Sequence, residues 1–302
     1  MSPSQTRTRT RSSGGILLAK ILVTGATGLI GQYAVPQLVK AGHEVFGVSR
    51  SGKGDCGVAL DLFDSDSVSA FIRAERPEYL LHLAWNVAPG YMTDPNNLDW
   101  TAASLHLLKT FADNGGKRAV FTGSCIEYDW SYGFMREDFT PLKSDYIYGT
   151  AKASLYQLAS AWAERTGFSF GWGRVFFLYG KGERPERIVP FIIDALKKGE
   201  KPAMKFPHIS RDYMHAADVA GGLAALTLHD FCGAVNIASG QAIRLCDIAK
   251  KAAEVIGCPV PEYEYAPNNE IAPLVLGDSR RLNDIIGFRP RITWEEGLKE
   301  LL

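Results

Sequence analysis

The sequence predicts an α/β protein: a doubly wound parallel sheet with a smaller C-terminal lobe. Two observations carry this. From residue 16 onward, short β-branched runs alternate with amphipathic helical stretches, and three glycines, Gly25, Gly28 and Gly31, separate the first run from the first helix. Strands spaced by helices pair in parallel and are joined by right-handed crossovers. A chain of 302 residues is long enough to bury the core such a sheet needs.

Taken in order, ILLAKILVTG reads as a buried strand ending in glycine, and LIGQYAVPQLVKAG as a helix closed by Gly42. HEVFGVSR is a strand, DSVSAFIRAE a helix and YLLHLAW a strand. LDWTAASLHLLKTFADNG is a helix, RAVFTGS a strand, SDYIYGTAKASLYQLASAWAERTG a long helix and SFGWGRVFFLYG a strand. After residue 180 the rhythm loosens. KGERPER leads into the helix VPFIIDALKKGE, a short strand around PAMKF, the helix HAADVAGGLAALTLHD and the strand GAVNIASG. The remainder is turn-rich (CPVPEYEYAPNNE), with a last helix from Trp294. No repeat or low-complexity linker divides the chain, so a second lobe is expected to grow from insertions. Residues 1–15 read as a disordered tail, since they are polar and have no apolar core of a secretory signal.

Composition narrows the function classes. Apolar residues are 46% and charged residues 22%, with Lys+Arg and Asp+Glu equal at 33 each. A chain without net charge has no global field to draw in nucleic acid or an anionic membrane. Five cysteines (Cys56, Cys125, Cys232, Cys246, Cys258) form no CxxC pair, which suits reduced thiols in the cytoplasm. The histidines show no HxxxH or HExxH spacing, so no metal is expected, and no apolar run reaches the length of a membrane span.

VTGATGLIG, at residues 23–31, is the first chemical signal. Glycine lets the chain turn sharply and brings backbone N–H groups against a pyrophosphate at a helix N-terminus. Between a strand and a helix the triplet points to a dinucleotide site in a Rossmann arrangement, with Thr27, Leu29 and Ile30 beside the glycines. Residues 16–180 are then expected to bind the dinucleotide, completed by about 213–240. The substrate-binding lobe would take 181–212 and 241–302. Where an acid commonly holds the adenosine ribose stands Ser49-Arg50-Ser51, followed by Lys53. A guanidinium there binds a 2′-phosphate, which favours NADP(H) over NAD(H); the alternative is a solvated arginine at a strand end. Asp61, with Leu62 beside it, can accept from the adenine amino group or simply cap its loop. Leu83 and Ala84, at the end of the YLLHLAW strand, complete the expected cofactor wall.

Tyr148 and Lys152 lie one helical turn apart on one face, a spacing at which the lysine charge is expected to lower the phenol's pKa for proton exchange with a carbonyl or hydroxyl. YxxxK is common by chance. Here it opens a long helix that follows a strand ending in Thr122-Gly123-Ser124, whose terminal hydroxyl can reach the same substrate oxygen.

GATGLIG, LLHLAW, TGSCIEY, YGTAK, RVFFLYG and RDYMHAADVA occur in the order found in extended short-chain dehydrogenases/reductases, the nucleotide-sugar epimerase, dehydratase and ketoreductase family. The chain resembles that family from residue 20 to about 298. The resemblance implies Tyr148 as general acid/base, Lys152 as its tuner and nicotinamide-ribose ligand, and Ser124 as second oxyanion donor. It further implies that Arg211 binds a substrate diphosphate, against the alternative of an ordinary Arg–Asp surface pair. It also suggests a homodimer paired through the helices at about 97–114 and 146–166.

The departures from the family pattern are specific. Cys125-Ile126 replaces the Asp-Glu pair of the dehydratases, Phe177 an asparagine, Trp100 an asparagine and Trp85 a small residue. They suggest a cavity walled by Trp85, Tyr91, Tyr128 and Trp130, with Ser124, Cys125, Ile126 and Arg211 on the substrate; taken singly, each aromatic and Cys125 can equally be core packing. The implied reaction is NADPH-dependent reduction of a keto group on a nucleotide-linked sugar, an NDP-4-keto-6-deoxyhexose above all. The alternatives are an NAD-dependent nucleotide-sugar epimerase and, from another class, a non-catalytic NADP(H)-binding regulator.

Overall fold

A computed structural model describes residues 18–54, 57–265 and 270–302; the 1–15 tail and Cys56 lie outside them. The chain begins β1 (Lys20–Thr24), α1 (Gly31–Lys40), β2 (Glu44–Ser49), β3 (Gly57–Ala59), α2 (Ser65–Glu75) and β4 (Tyr79–His82). It continues through α3 (Asn97–Asp113), β5 (Arg118–Ser124), β6 (Phe134–Met135), α4 (Ile147–Thr166), β7 (Ser169–Val175) and β8 (Phe177–Tyr179). Next come α5 (Ile188–Lys197), β9 (Ser210–His215), α6 (Ala216–Leu228) and β10 (Gly233–Ile237). β11 (Ala242–Arg244), α7 (Leu245–Ile256), β12 (Leu274–Gly277) and α8 (Trp294–Leu301) complete it.

Seven strands form one parallel sheet in the order β10-β7-β5-β4-β1-β2-β3, the expected doubly wound arrangement. Successive side chains of a strand point to opposite faces, so each strand feeds two layers. In β1, Ile21 and Val23 join Ala34, Val35 and Leu38 of α1 and Val219 and Leu223 of α6 on one face. Leu22 joins Val68 and Ile72 of α2, Leu107 and Phe111 of α3 and Leu155 of α4 on the other. Burial on both faces is why these strands are nearly continuous apolar runs.

A smaller sheet runs β11-β9-β12-β6, with β8 beside β9. Its core of Val189, Ile192, Tyr213, Ile248 and Ala252 lies under α5 and α7. The run SFGWGRVFFLYG, read as one strand, is two: β7 belongs to the large sheet and β8 to the small one. Phe176, between them, gives its N–H to Ile237 O at 3.1 Å. One segment therefore ties both sheets at the edge of the cleft.

Two readings need correction. PAMKF forms no strand; Pro202 instead offers its carbonyl to the Tyr263 hydroxyl at 2.8 Å. α7, which carries much of the small core, was not anticipated, because LCDIAKKAAEVI lies among turn-rich segments.

Candidate active site

The carboxyl ends of β1, β4, β5 and β7 open into a cavity of about 600 Å³ that continues against the small sheet. In register, Thr24 of β1 pairs with His82 of β4, and Ser124 of β5 with Val175 of β7. The strand ends are thus level.

The glycine turn forms one wall. Gly25 has φ +71°, and a Cβ there would stand 2.8 Å from Ala84 N and 2.9 Å from Ala84 Cα. At Gly31, the first residue of α1, a Cβ would fall 2.2 Å from Gly25 O. Both positions exclude any side chain, which lets the turn press against β4 and α1 start directly on it. α1 has no side-chain cap and no acid in its first turn, so no carboxylate competes for an anion at its positive end. Gly25, Gly28, Leu29, Ile30, Leu83 and Ala84 line the cavity, whereas Thr27 stands exposed on the turn. Arg50 is exposed just beyond β2 and forms no ion pair with another described residue. Ser49, next to it, has a buried hydroxyl without a partner. The Asp61 carboxylate accepts from Phe63 N at 3.0 Å, the loop-cap geometry, and Leu62 is buried behind it. The cradle that a Cβ would fill, the uncapped helix end and the unsatisfied Ser49 hydroxyl together fit an adenine dinucleotide.

Tyr148 and Lys152 come together on α4, both buried, and both line the cavity with Ser124. Tyr148 N donates to Met92 O at 3.1 Å, which fixes the helix start. Lys152 Nζ donates to Thr122 O at 2.7 Å and sits 3.7 Å from the Trp85 ring centroid. The phenol differs from expectation. Burial pushes Tyr148 above the usual tyrosine range, Tyr91 and Glu127 add to this, and the Ser124 hydrogen bond opposes it. Burial also lowers Lys152 to about 7 against the pull of Glu127. Desolvation thus sets the direction for both groups at this site.

Two buried networks that sequence reading missed hold these groups. Thr24 Oγ1 and His82 Nδ1 are 2.7 Å apart, and His82 Nε2 lies 2.9 Å from Ser104 Oγ. Burial, then the Lys152 charge, depress His82 to about 3, so the imidazole is neutral. Behind Ser124, the Glu127 carboxylate accepts from Ser124 N and Arg174 Nε, each at 2.7 Å, and from Trp172 Nε1 at 3.1 Å. Arg174 Nη1 donates to the Tyr128 hydroxyl at 3.0 Å, which donates to Asn236 Oδ1 at 2.8 Å. Tyr128 is therefore a core residue and not a cavity wall. Trp100 likewise stacks behind Trp85, outside the cavity lining.

On the substrate side, Trp85, Tyr91, Trp130 and Phe177 supply the aromatic wall, with Cys125 and Ile126 between them. Burial pushes the Cys125 thiol well above its ordinary range, so it is not a thiolate nucleophile. Arg211 is buried, lies 5.6 Å from both the Trp130 and Phe177 rings and donates to Ser210 O at 2.8 Å. It pairs with no described acid. Asp212 is engaged instead by the amides of Ser239 and Gly240, which removes the surface-pair alternative. The loop after β8 adds a residue that the sequence reading passed over: Glu183 lines the cavity, one of its oxygens is buried without a partner, and burial raises it to about 7 against Arg187. Among the described residues there is no group of side chains able to hold a metal ion, and no helix is long and apolar enough to cross a membrane.

Residues 21–238 match the family model described as the NAD dependent epimerase/dehydratase family. GDP-6-deoxy-D-mannose reductase of Pseudomonas aeruginosa is 25% identical over 309 residues, 94% of this chain and 96% of that protein. dTDP-6-deoxy-L-talose 4-dehydrogenase (NAD(+)) of Aggregatibacter actinomycetemcomitans is 29% identical over 168 residues, 53% of this chain and 62% of that protein. The UDP-glucose 4-epimerase of Thermotoga maritima, solved with UDP-glucose, has the same fold, with a TM-score of 0.82 at 23% identity over 93% of this chain and 96% of that one.

Proposed function

The chain belongs to the NAD dependent epimerase/dehydratase family, and on that premise we propose that it reduces a keto group on a nucleotide-linked sugar, an NDP-4-keto-6-deoxyhexose, with NADPH. The observation that carries this reading is the wall around Ser124. Tyr148 and Lys152 face the cavity with it, but Cys125 and Ile126 follow it, and the nearby Glu127 carboxylate is turned into the core onto Arg174. Water loss from a sugar needs one group to remove a proton and another to protonate the leaving hydroxyl. A thiol held protonated by burial and an isoleucine supply neither, whereas ketone reduction asks for only one proton.

When bound, a nicotinamide would supply the hydride. Gly25, Gly28, Leu29, Ile30 and Gly31 would hold the cofactor's diphosphate, Leu83 and Ala84 its flank, and Lys152 its nicotinamide ribose. Thr27, Asp61 and Leu62 would lie toward the adenosine end, with Arg50 on a 2′-phosphate. That cation is what supports NADPH, although the talose dehydrogenase relative is named for NAD(+). Tyr148 delivers the proton to the keto oxygen, and Ser124 donates a hydrogen bond to the same atom. Burial keeps the Tyr148 phenol protonated, the form in which it can give a proton to the keto oxygen. Arg211, unpaired among the described residues and flanked by two rings, would hold the nucleotide diphosphate, with Trp85, Cys125 and Ile126 along the sugar. Pairing of two copies through α3 and α4 is supported by Leu98 and Leu158, exposed on those helices.

The second reading is a redox-neutral epimerase, the activity for which the Thermotoga neighbour is named. Tyr148→Phe tests the site itself. It should lower turnover by roughly 10²–10⁴-fold, the usual contribution of a positioned proton donor, with NADPH affinity kept. Full activity in this variant would remove Tyr148 from the mechanism.

A further inference from the structure

We propose that Trp85 is a positioning residue for Lys152, its indole face serving as the counter-group of an ammonium that forms no ion pair with any described carboxylate. The role in turnover rests on the reading above; the contact itself does not.

Lys152 is only 1% exposed, and a buried ammonium is costly unless other groups replace its water. The groups around it are few. From β5, the Thr122 carbonyl accepts one of its N–H bonds at 2.7 Å. From β4, His82 is neutral and gives no charge. On its own helix α4, Tyr148 is an undissociated phenol. After β5, Glu127 attracts it from a distance, but that carboxylate is committed to Arg174, Trp172 and Ser124 N. No described acid forms an ion pair with Lys152. The Trp85 ring, 3.7 Å from Nζ to centroid, is the remaining close partner. A tryptophan face is the strongest aromatic partner for a cation, more so when both are out of water.

The ring is held for this purpose from behind. Trp85 Nε1 donates to Asn97 Oδ1 at 2.8 Å. Asn97, itself buried, spends its amide protons on Tyr91 O at 2.8 Å and Asp94 O at 2.7 Å. Trp100 stacks on the indole at 5.8 Å and 28°. Asn97 and Trp100 both sit in the first turn of α3, so that helix end aims the indole at the lysine. The ammonium, pinned between carbonyl and ring, keeps one direction for the cavity. Loss of the ring face should therefore move Lys152 and make its charged form harder to keep.

The test is competitive acylation of Lys152 with acetic anhydride, followed by peptide mass spectrometry from the mildly acidic through the alkaline range, in full-length wild type, Trp85→Leu, Trp85→Phe and Asn97→Ala. No sugar substrate is involved, so failure of the reductase reading leaves this measurement intact. The labelling midpoint should fall by about one pH unit in Trp85→Leu, the size of a desolvated cation–π contact expressed as a pKa shift. It should fall less in Trp85→Phe, which keeps a ring, and partway in Asn97→Ala, which keeps the ring but frees its edge. NADPH binding should weaken most above the lowered midpoint. If Trp85→Leu does not fold, the ordering of the other two against wild type decides. Midpoints that superimpose on wild type, or an NADPH loss that is uniform with pH, would overturn the proposal and leave Trp85 as cavity lining.

Discussion

Glu127→Gln isolates the buried charge pair that sets the Ser124 backbone. The Glu127 and Arg174 side chains are 0% and 1% exposed and meet at 2.7 Å. The substitution keeps the size of the side chain but removes its charge. It also turns an amide donor toward neighbours that are themselves donors: Arg174 Nε, Trp172 Nε1 and Ser124 N. Arg174 would keep the Tyr128 hydroxyl and the flanking Tyr128 and Tyr156 rings, but no counter-charge. Breaking a buried pair by removing one partner costs about 3–5 kcal/mol, a large part of the roughly 5–15 kcal/mol that holds a domain folded. Urea unfolding should show a lower midpoint at an unchanged slope. The double variant Glu127→Gln/Arg174→Met should recover much of the loss, since the stranded charge is then gone. A Glu127→Gln protein within about 1 kcal/mol of wild type, at the low end of single-substitution costs, would refute the claim that this pair holds the Ser124 turn.

Glu183 predicts a pH dependence. Its folded value is raised from 4.5 to about 7 by burial, so the folded state binds the extra proton between those values. Its contribution is fully present below 4.5 and lost as pH rises through about 7. Glu183→Gln should remove that slope and be the more stable protein above neutrality, by at most about 3 kcal/mol at ~1.36 kcal/mol per pH unit; thermal unfolding curves with the same pH slope in both proteins would contradict this. For cofactor choice, Arg50→Asp should raise the KM for NADPH and spare NADH, read by initial rates with each. A wild type that prefers NADH by about tenfold, or ~1.4 kcal/mol, would show that Arg50 is only a solvated strand end.

What could be read from the sequence was what local spacing encodes. The alternation of β-branched runs with 3.6-period helices is a property of neighbouring residues, and it gave the large sheet. The glycine triplet and the Tyr148–Lys152 spacing are local too, and the fold brings both to one cavity. What spacing could not reveal depends on partners far apart in the chain. Nothing local marks Glu127 as half of a buried pair, because its partner Arg174 comes from the neighbouring strand β7. Tyr128 read as a cavity aromatic because nothing local says that Asn236 will take its hydroxyl. The one-strand reading of SFGWGRVFFLYG failed because β8 leaves the large sheet to pair with β9, with Phe177 opposite Tyr213. Glu183 lies in the charged stretch KGERPER, where nothing local marks it as buried. Its burial against the cavity is what moves its titration up to about 7. The expected lowering of the Tyr148 phenol failed for a related reason: spacing gives the distance to a charge but not the depth of burial, which pushes the phenol up.

The central claim is a reaction class, and stoichiometry tests it most directly. The protein is incubated with NADPH and an NDP-4-keto-6-deoxyhexose, separately with an unmodified NDP-hexose, and Tyr148→Phe serves as the control for both. Absorbance follows NADPH, and mass spectrometry follows the sugar. The account predicts one NADPH consumed per keto sugar reduced, abolished in Tyr148→Phe, and no keto sugar formed from the unmodified hexose. Appearance of a keto sugar in the second reaction, or interconversion of two unreduced sugars with no net loss of NADPH, would contradict it.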